Sequence, residues 1–138
     1  MTQASRPLIL AADAEGIRQA ADHLRLGGLV AVPTETVYGL AARADRDESV
    51  ASIYRAKGRP SFNPLIVHVP DVSHAERLAK FDSRARQLAA AFWPGPLTIV
   101  LPLQRDAGLA SAVTAGLSTV ALRCPAHPVM RAVLEQAG

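Results

Sequence analysis

Three short segments carry residues whose types and spacing could do chemistry. Lys57-Gly58-Arg59-Pro60 puts two cations on either side of a glycine. A phosphate group can use such a set, with the ammonium as a point charge, the guanidinium as a planar fork and the glycine allowing close backbone approach. The G-x-x-x-x-G-K-[ST] spacing of a P-loop is absent, and the same residues also suit a solvated helix end, where cations complement the dipole. Pro33-Thr34-Glu35-Thr36-Val37-Tyr38-Gly39-Leu40 follows an apolar run directly and offers two threonine hydroxyls and one of five glutamates. Hydroxyls at the carboxyl end of a strand are placed to line a crevice; from spacing alone, a turn whose threonines bond their own backbone fits better. In Thr119 to Arg123, positions 119, 121 and 123 alternate with apolar ones. Arg123 would emerge at a strand end before Cys124-Pro125, as a fixed cation suited to a carboxylate or as an exposed edge residue.

Other residues say less taken singly. His68 stands in Leu65-Ile66-Val67-His68-Val69, where a lone histidine usually belongs to the core. His23, His74 and His127 fall on expected helices or at their starts, without H-x-x-x-H spacing or clustered carboxylates, so no protein-bound metal is expected. Trp93, in Phe92-Trp93-Pro94-Gly95-Pro96-Leu97-Thr98, reads as an aromatic anchor before a stiff turn. Cys124 is the only cysteine and reads as a small core residue.

Alternating strand and helix signals would position these segments. Helical spacing runs from Ala14 to Leu26, stopped by Gly27-Gly28; Asp47 or Ser49 can cap a helix through Ala56, broken by Gly58 and Pro60. Further helices are expected over 72–79, 83–92 and 127–137, with Gly138 as a possible C-cap. Strands are expected over 29–32, 40–42, 65–69, 97–101 and 119–123. Pro7 to Leu10 is a short apolar run. At least five strands interleaved with about five helices make the class α/β or α+β, with helices packed on a mixed twisted sheet.

The 138 residues suffice for one domain, and 49% hydrophobic against 20% charged residues argues against disorder. No apolar run reaches the roughly 18–20 residues of a membrane span, and Met1 to Pro7 does not read as a signal peptide. A single thiol makes a reducing cytoplasm the default. The net charge of +3 suits an anionic ligand such as a nucleotide, and equally RNA. Of 15 basic residues only Lys57 and Lys80 are lysine, which hints that position 57 wants the ammonium itself.

Taken in order, PTETVYGL at 33–40, KGRP at 57–60, NPLIVHV at 63–69, WPGPLT at 93–98 and TVALRCPAHP at 119–128 resemble the YrdC-like threonylcarbamoyl-AMP synthase family. Each piece is weak alone; the ordered set, spread across nearly the whole chain, is specific. The resemblance implies a twisted mixed sheet with a concave basic cleft. It implies an enzyme that condenses L-threonine, bicarbonate and ATP, with Mg2+, into threonylcarbamoyl-AMP and diphosphate. The threonylcarbamoyl group then passes, through other proteins, to an adenosine of tRNAs that read ANN codons.

Carried over by position, Lys57 and Arg59 would be the catalytic cations on the ATP phosphates, and Asn63 and Thr119 would help hold the nucleotide. Thr36, His68 and Arg123 would hold threonine, Arg123 at its carboxylate, with Thr34 and Tyr38 in the same wall. The family has Gly where this chain has Ala41, a small change in an expected strand. Family domains continue with a further strand and a Ser-x-Asn segment, so residues 1–138 are expected to form a YrdC-like domain incomplete at its C-terminal end. Two other readings stay open. A carbamoyl-adenylate-forming domain of the hydrogenase-maturation type is disfavoured by the lack of zinc-binding cysteines and by Met1 lying just before the domain. A non-catalytic RNA-binding module is disfavoured by 4% aromatic residues, which give few stacking platforms.

Overall fold

The computed structural model of the chain describes residues 8–60 and 64–137. Helix α1 (Ala14–Arg25) starts where Asp13 accepts a hydrogen bond from the Gly16 N–H at 2.8 Å, satisfying one of the orphan donors of the first turn. Its inward residues Ala20 and Leu24 pack with Val133 of α5 (Pro128–Ala137) in a small second core. Strands β1 (Val30–Val32) and β2 (Gly39–Ala41) pair antiparallel, with Val32 opposite Gly39. The loop 33–38 is therefore held at both ends by one hairpin. Ala41 pairs with Val30 and packs against the second core. Leu8 and Ile9 are exposed and lie outside any strand.

Helix α2 (Asp47–Lys57) has Arg46 at its N-cap and no side-chain cap. The two residues expected as caps are instead inside the helix. Asp47 is its first residue, where a carboxylate favours the positive end of the dipole. Ser49 is buried and donates its hydroxyl to the Gly27 carbonyl at 3.0 Å. The helix ends at Gly58, whose φ of 62° is left-handed, and the Arg59 N–H bonds back to the Tyr54 carbonyl at 3.0 Å. This glycine-dependent stop turns the chain so that Lys57 closes the helix and Arg59 leaves it.

The remaining strands, β3 (Ile66–His68), β4 (Thr98–Pro102) and β5 (Thr119–Arg123), form a second sheet in the order β3-β5-β4. Central β5 runs parallel to β3 and antiparallel to β4. The fold is mixed α/β, as the alternating signals require, but the strands divide between two sheets rather than joining in one. Alternation tells which face of a strand is buried and not which strand lies beside it.

The buried face of the larger sheet carries Val67, Ile99, Val120 and Leu122. These cluster with Val50 and Tyr54 of α2, with Ala75 and Ala79 from and just after α3 (Val72–Leu78), and with Ala89 and Trp93 from and just after α4 (Ser83–Phe92). The Trp93 ring meets Phe81 edge-on at 6.2 Å, and its indole N–H donates to the Leu97 carbonyl at 2.8 Å. Its single polar group is thus satisfied within the protein, as an anchoring role needs. The opposite face, with Ile66, His68, Val100, Thr119 and Arg123, is more open, Val100 being 61% exposed. A 3₁₀ turn at Ser111–Val113, not anticipated from the sequence, places the Ala112 carbonyl on the Tyr54 hydroxyl at 2.9 Å. No described helix is long and apolar enough to cross a membrane.

Candidate active site

Parallel pairing brings the carboxyl ends of β3 and β5 side by side, so that His68 lies opposite Arg123. On the other flank of β5, Thr98 opens β4 and also lies opposite Arg123. This row borders a cavity of about 1030 Å³ whose walls include Thr34, Thr36, Lys57, Arg59, His68 and Arg123. The volume is at the top of the range for small-molecule sites and accommodates a nucleotide beside a second substrate. Six cations line it, Arg25, Arg43, Lys57, Arg59, Arg77 and Arg123, against two acids, Asp45 and Asp106. Arg43 is already engaged by both Asp45 carboxylate oxygens, at 2.6 and 2.8 Å. The remaining excess is positive and suits an anion.

At one end, Lys57 is exposed and makes no ion pair among the described residues, while Arg59 donates to the Pro64 carbonyl at 2.8 Å. The carboxyl end of α2 carries partial negative charge, so the helix itself repels an anion there, and these two side chains must supply the attraction. At the other end, the Nε and Nη2 of Arg123 both donate to the Thr98 hydroxyl, at 3.0 and 2.8 Å. Its side-facing fork is spent on Thr98, which aims the Nη end at any carboxylate.

The loop 33–38 supports both sequence readings. Thr34 accepts hydrogen bonds from the N–H groups of Thr36 and Val37, each at 3.2 Å, so its hydroxyl shapes the turn. Thr36 is exposed beside it, 3.1 Å hydroxyl to hydroxyl, and borders the cavity. Six of the anticipated residues thus converge on one cavity. Tyr38 is 76% exposed and does not line it. Thr119 shares a sheet face with Arg123 but begins β5, opposite Pro102. Four residues of strand put it about 13 Å away, outside the lining. Asn63 lies outside the described residues.

Two side-chain contacts beside the cavity were missed by sequence reasoning. Thr98 holds Arg123, and Glu35 accepts a 2.6 Å hydrogen bond from the Ala126 N–H, 91 residues on. Glu35 carried a signal, a carboxylate between two threonines; Thr98 carried none beyond its turn.

Burial lowers the His68 pKa from 6.5, and the neighbouring Arg123 charge lowers it further. A histidine held neutral in the fold takes up a proton more readily once unfolded. Stability is therefore complete above about pH 6.5 and falls as the pH drops below it. The unfolding midpoint in urea should decrease between pH 7 and 5.5, and His68→Asn should flatten that decrease. Asp71, held at about 2 by the His74 ring, the His74 N–H and Ser73, acts only in a separate window below pH 3.8. A slope unchanged in His68→Asn would place the titration elsewhere. The Cys124 thiol is buried and pushed up by desolvation, consistent with a core residue.

Comparison with known proteins places this geometry in context. The Sua5/YciO/YrdC family model, described as Telomere recombination, matches residues 22–138. The threonylcarbamoyl-AMP synthase of Bacillus subtilis is 52% identical over 123 residues, covering 88% of this chain and 35% of that one. The structure of Pyrococcus abyssi Sua5 complexed with L-threonine superposes with a TM-score of 0.86 at 47% identity, over 91% of this chain and 36% of that one. Escherichia coli YciO, at 24% identity and a TM-score of 0.81 over 91% of this chain and 61% of that one, shares the fold. The chain spans about a third of the length of the first two of these relatives.

Proposed function

The chain belongs to the Sua5/YciO/YrdC family, and we propose that it carries the catalytic cavity of an L-threonylcarbamoyladenylate synthase, working in a reducing cytoplasm. The observation that carries this reading is the division of one cavity into two ends. Lys57 and Arg59 form a phosphate-seeking end, and Thr36, His68 and an Arg123 fixed by Thr98 form an end suited to a small amino acid. A relative whose structure holds L-threonine supports the second half of the assignment.

In this reading the threonine amine attacks the carbon of bicarbonate, and loss of water leaves a carbamate. A carbamate oxygen then attacks the α-phosphorus of ATP, the bond to the bridging oxygen breaks, and diphosphate leaves. Arg123 holds the threonine carboxylate so that the amine is presented to the nucleotide end. Lys57 and Arg59 offset the charge on the phosphoryl oxygens and on departing diphosphate, the electrostatic contribution that dominates such transfers. No covalent enzyme intermediate is required. Magnesium would accompany ATP as the counter-ion of its phosphates and would add to the charge that Lys57 and Arg59 supply there. The product, an activated mixed anhydride, supplies the threonylcarbamoyl group for an adenosine of tRNA through downstream modification proteins.

The test is diphosphate release from ATP by the purified chain, with threonine and bicarbonate each present or omitted. Release that needs both is the expected result. Release without threonine would mean that ATP is cleaved without the amino acid, and would count against the proposal. A chain that releases none, alone and when continued through a Ser-x-Asn segment, would overturn the proposal.

A further inference from the structure

Glu35 has no place in the chemistry above, yet its surroundings are unusual. One oxygen, Oε2, accepts the Ala126 N–H at 2.6 Å, three residues beyond Arg123. The other, Oε1, is buried and has no hydrogen-bond partner among the described residues. A buried carboxylate oxygen left without a partner destabilises a fold, so a chain would ordinarily place a neutral acceptor there. A carboxylate is expected where its charge is wanted. The residue sits between Thr34 and Thr36, both on the cavity wall, while its own side chain turns behind that wall toward the segment following β5.

We propose that Glu35 is a positioning residue for the amino-acid end of the cavity. Its carboxylate clamps the Thr34–Thr36 loop to the backbone beyond Arg123, and its second oxygen keeps a negative charge behind the His68–Arg123 pair. The clamp sets the gap between two walls that come from opposite ends of the chain. Neither β1–β2 pairing nor the β3-β5-β4 ladder sets that gap, because the loop belongs to one sheet and Arg123 to the other. At His68, burial and the Arg123 charge hold the ring towards its neutral form, and the Glu35 charge acts in the opposite sense without outweighing them.

The inference rests on the assignment of this end to threonine, so clamp and substrate are tested separately. Threonine and ATP affinities are measured by calorimetry for wild type, Glu35→Ala and Glu35→Gln. The Ala126 amide and the His68 ring are followed by NMR through a pH titration. Glu35→Ala should weaken threonine binding about tenfold or more, the usual effect of losing a hydrogen bond to a charged group, and leave ATP affinity within about twofold. Glu35→Gln keeps an acceptor without the charge. It should hold threonine within about threefold of wild type while the His68 titration moves to lower pH. The Ala126 amide shift should change in Glu35→Ala, where its acceptor is lost. Threonine affinity in Glu35→Ala equal to wild type overturns the proposal. If the wild-type chain binds no threonine, the substrate assignment fails, and the Ala126 amide decides the clamp: the same shift in wild type and Glu35→Ala overturns it.

Discussion

Lys57→Ala should lower diphosphate release by about 10²–10³-fold, the loss seen when one preorganised group facing transition-state charge is removed. Lys57 is solvent-exposed at the end of α2, so removing its side chain opens no core. The thermal midpoint should stay within about a degree or two, because exposed substitutions away from special features change stability by about 0.5 kcal/mol or less. Loss of rate with intact stability is the signature that separates a catalytic cation from a solvated helix end. The α2 terminus repels anions, so no neighbouring dipole replaces the lost charge. Arg59→Ala should behave similarly in rate. It should also lower stability slightly, since that guanidinium holds the Pro64 carbonyl at 2.8 Å. Lys57→Ala retaining a third or more of wild-type turnover would remove Lys57 from the mechanism.

Arg123→Lys should weaken threonine about 30-fold or more while leaving ATP affinity within about twofold, because breaking a hydrogen-bonded charge pair costs about 2 kcal/mol or more. The charge survives in this variant, so the loss measures geometry. An ammonium cannot use one edge to grip Thr98 and present a second edge to a carboxylate, as the guanidinium does. Thr98→Val removes the grip and keeps the guanidinium. It should cost less, about five- to tenfold, the worth of a hydrogen bond or two between partly buried groups. The order wild type, Thr98→Val, Arg123→Lys is the specific expectation for isothermal titration with threonine. An Arg123→Lys chain that binds threonine as wild type does would mean that Arg123 does not meet the carboxylate.

Much of the site was legible because its chemistry is local. Lys57 and Arg59 flank Gly58, and a left-handed residue at a helix end is a requirement that a sequence can announce by itself. The Thr34 turn is likewise closed within four residues. Ser49 misled for a related reason: as a serine near a helix start it fits the cap pattern, but its hydroxyl found the Gly27 carbonyl, a partner 22 residues away.

Local pattern was enough for the helices, the strands, their order and the face that β5 buries, though not for the 3₁₀ turn at Ser111–Val113. Val120 and Leu122 are inside and Thr119 and Arg123 outside because side chains alternate along a strand. The tertiary structure alone decided which strands meet and in what register. A face assignment placed Thr119 and Arg123 together, but the ladder sets one against Pro102 and the other between His68 and Thr98. The grip of Thr98 on Arg123 follows from that register, since a one-residue slip would turn the two side chains to opposite faces. The contact from Glu35 to Ala126 spans 91 residues and two sheets. No periodicity encodes such a pair: it forms only when packing of both sheets brings the two loops to one distance, and packing is a property of the whole fold.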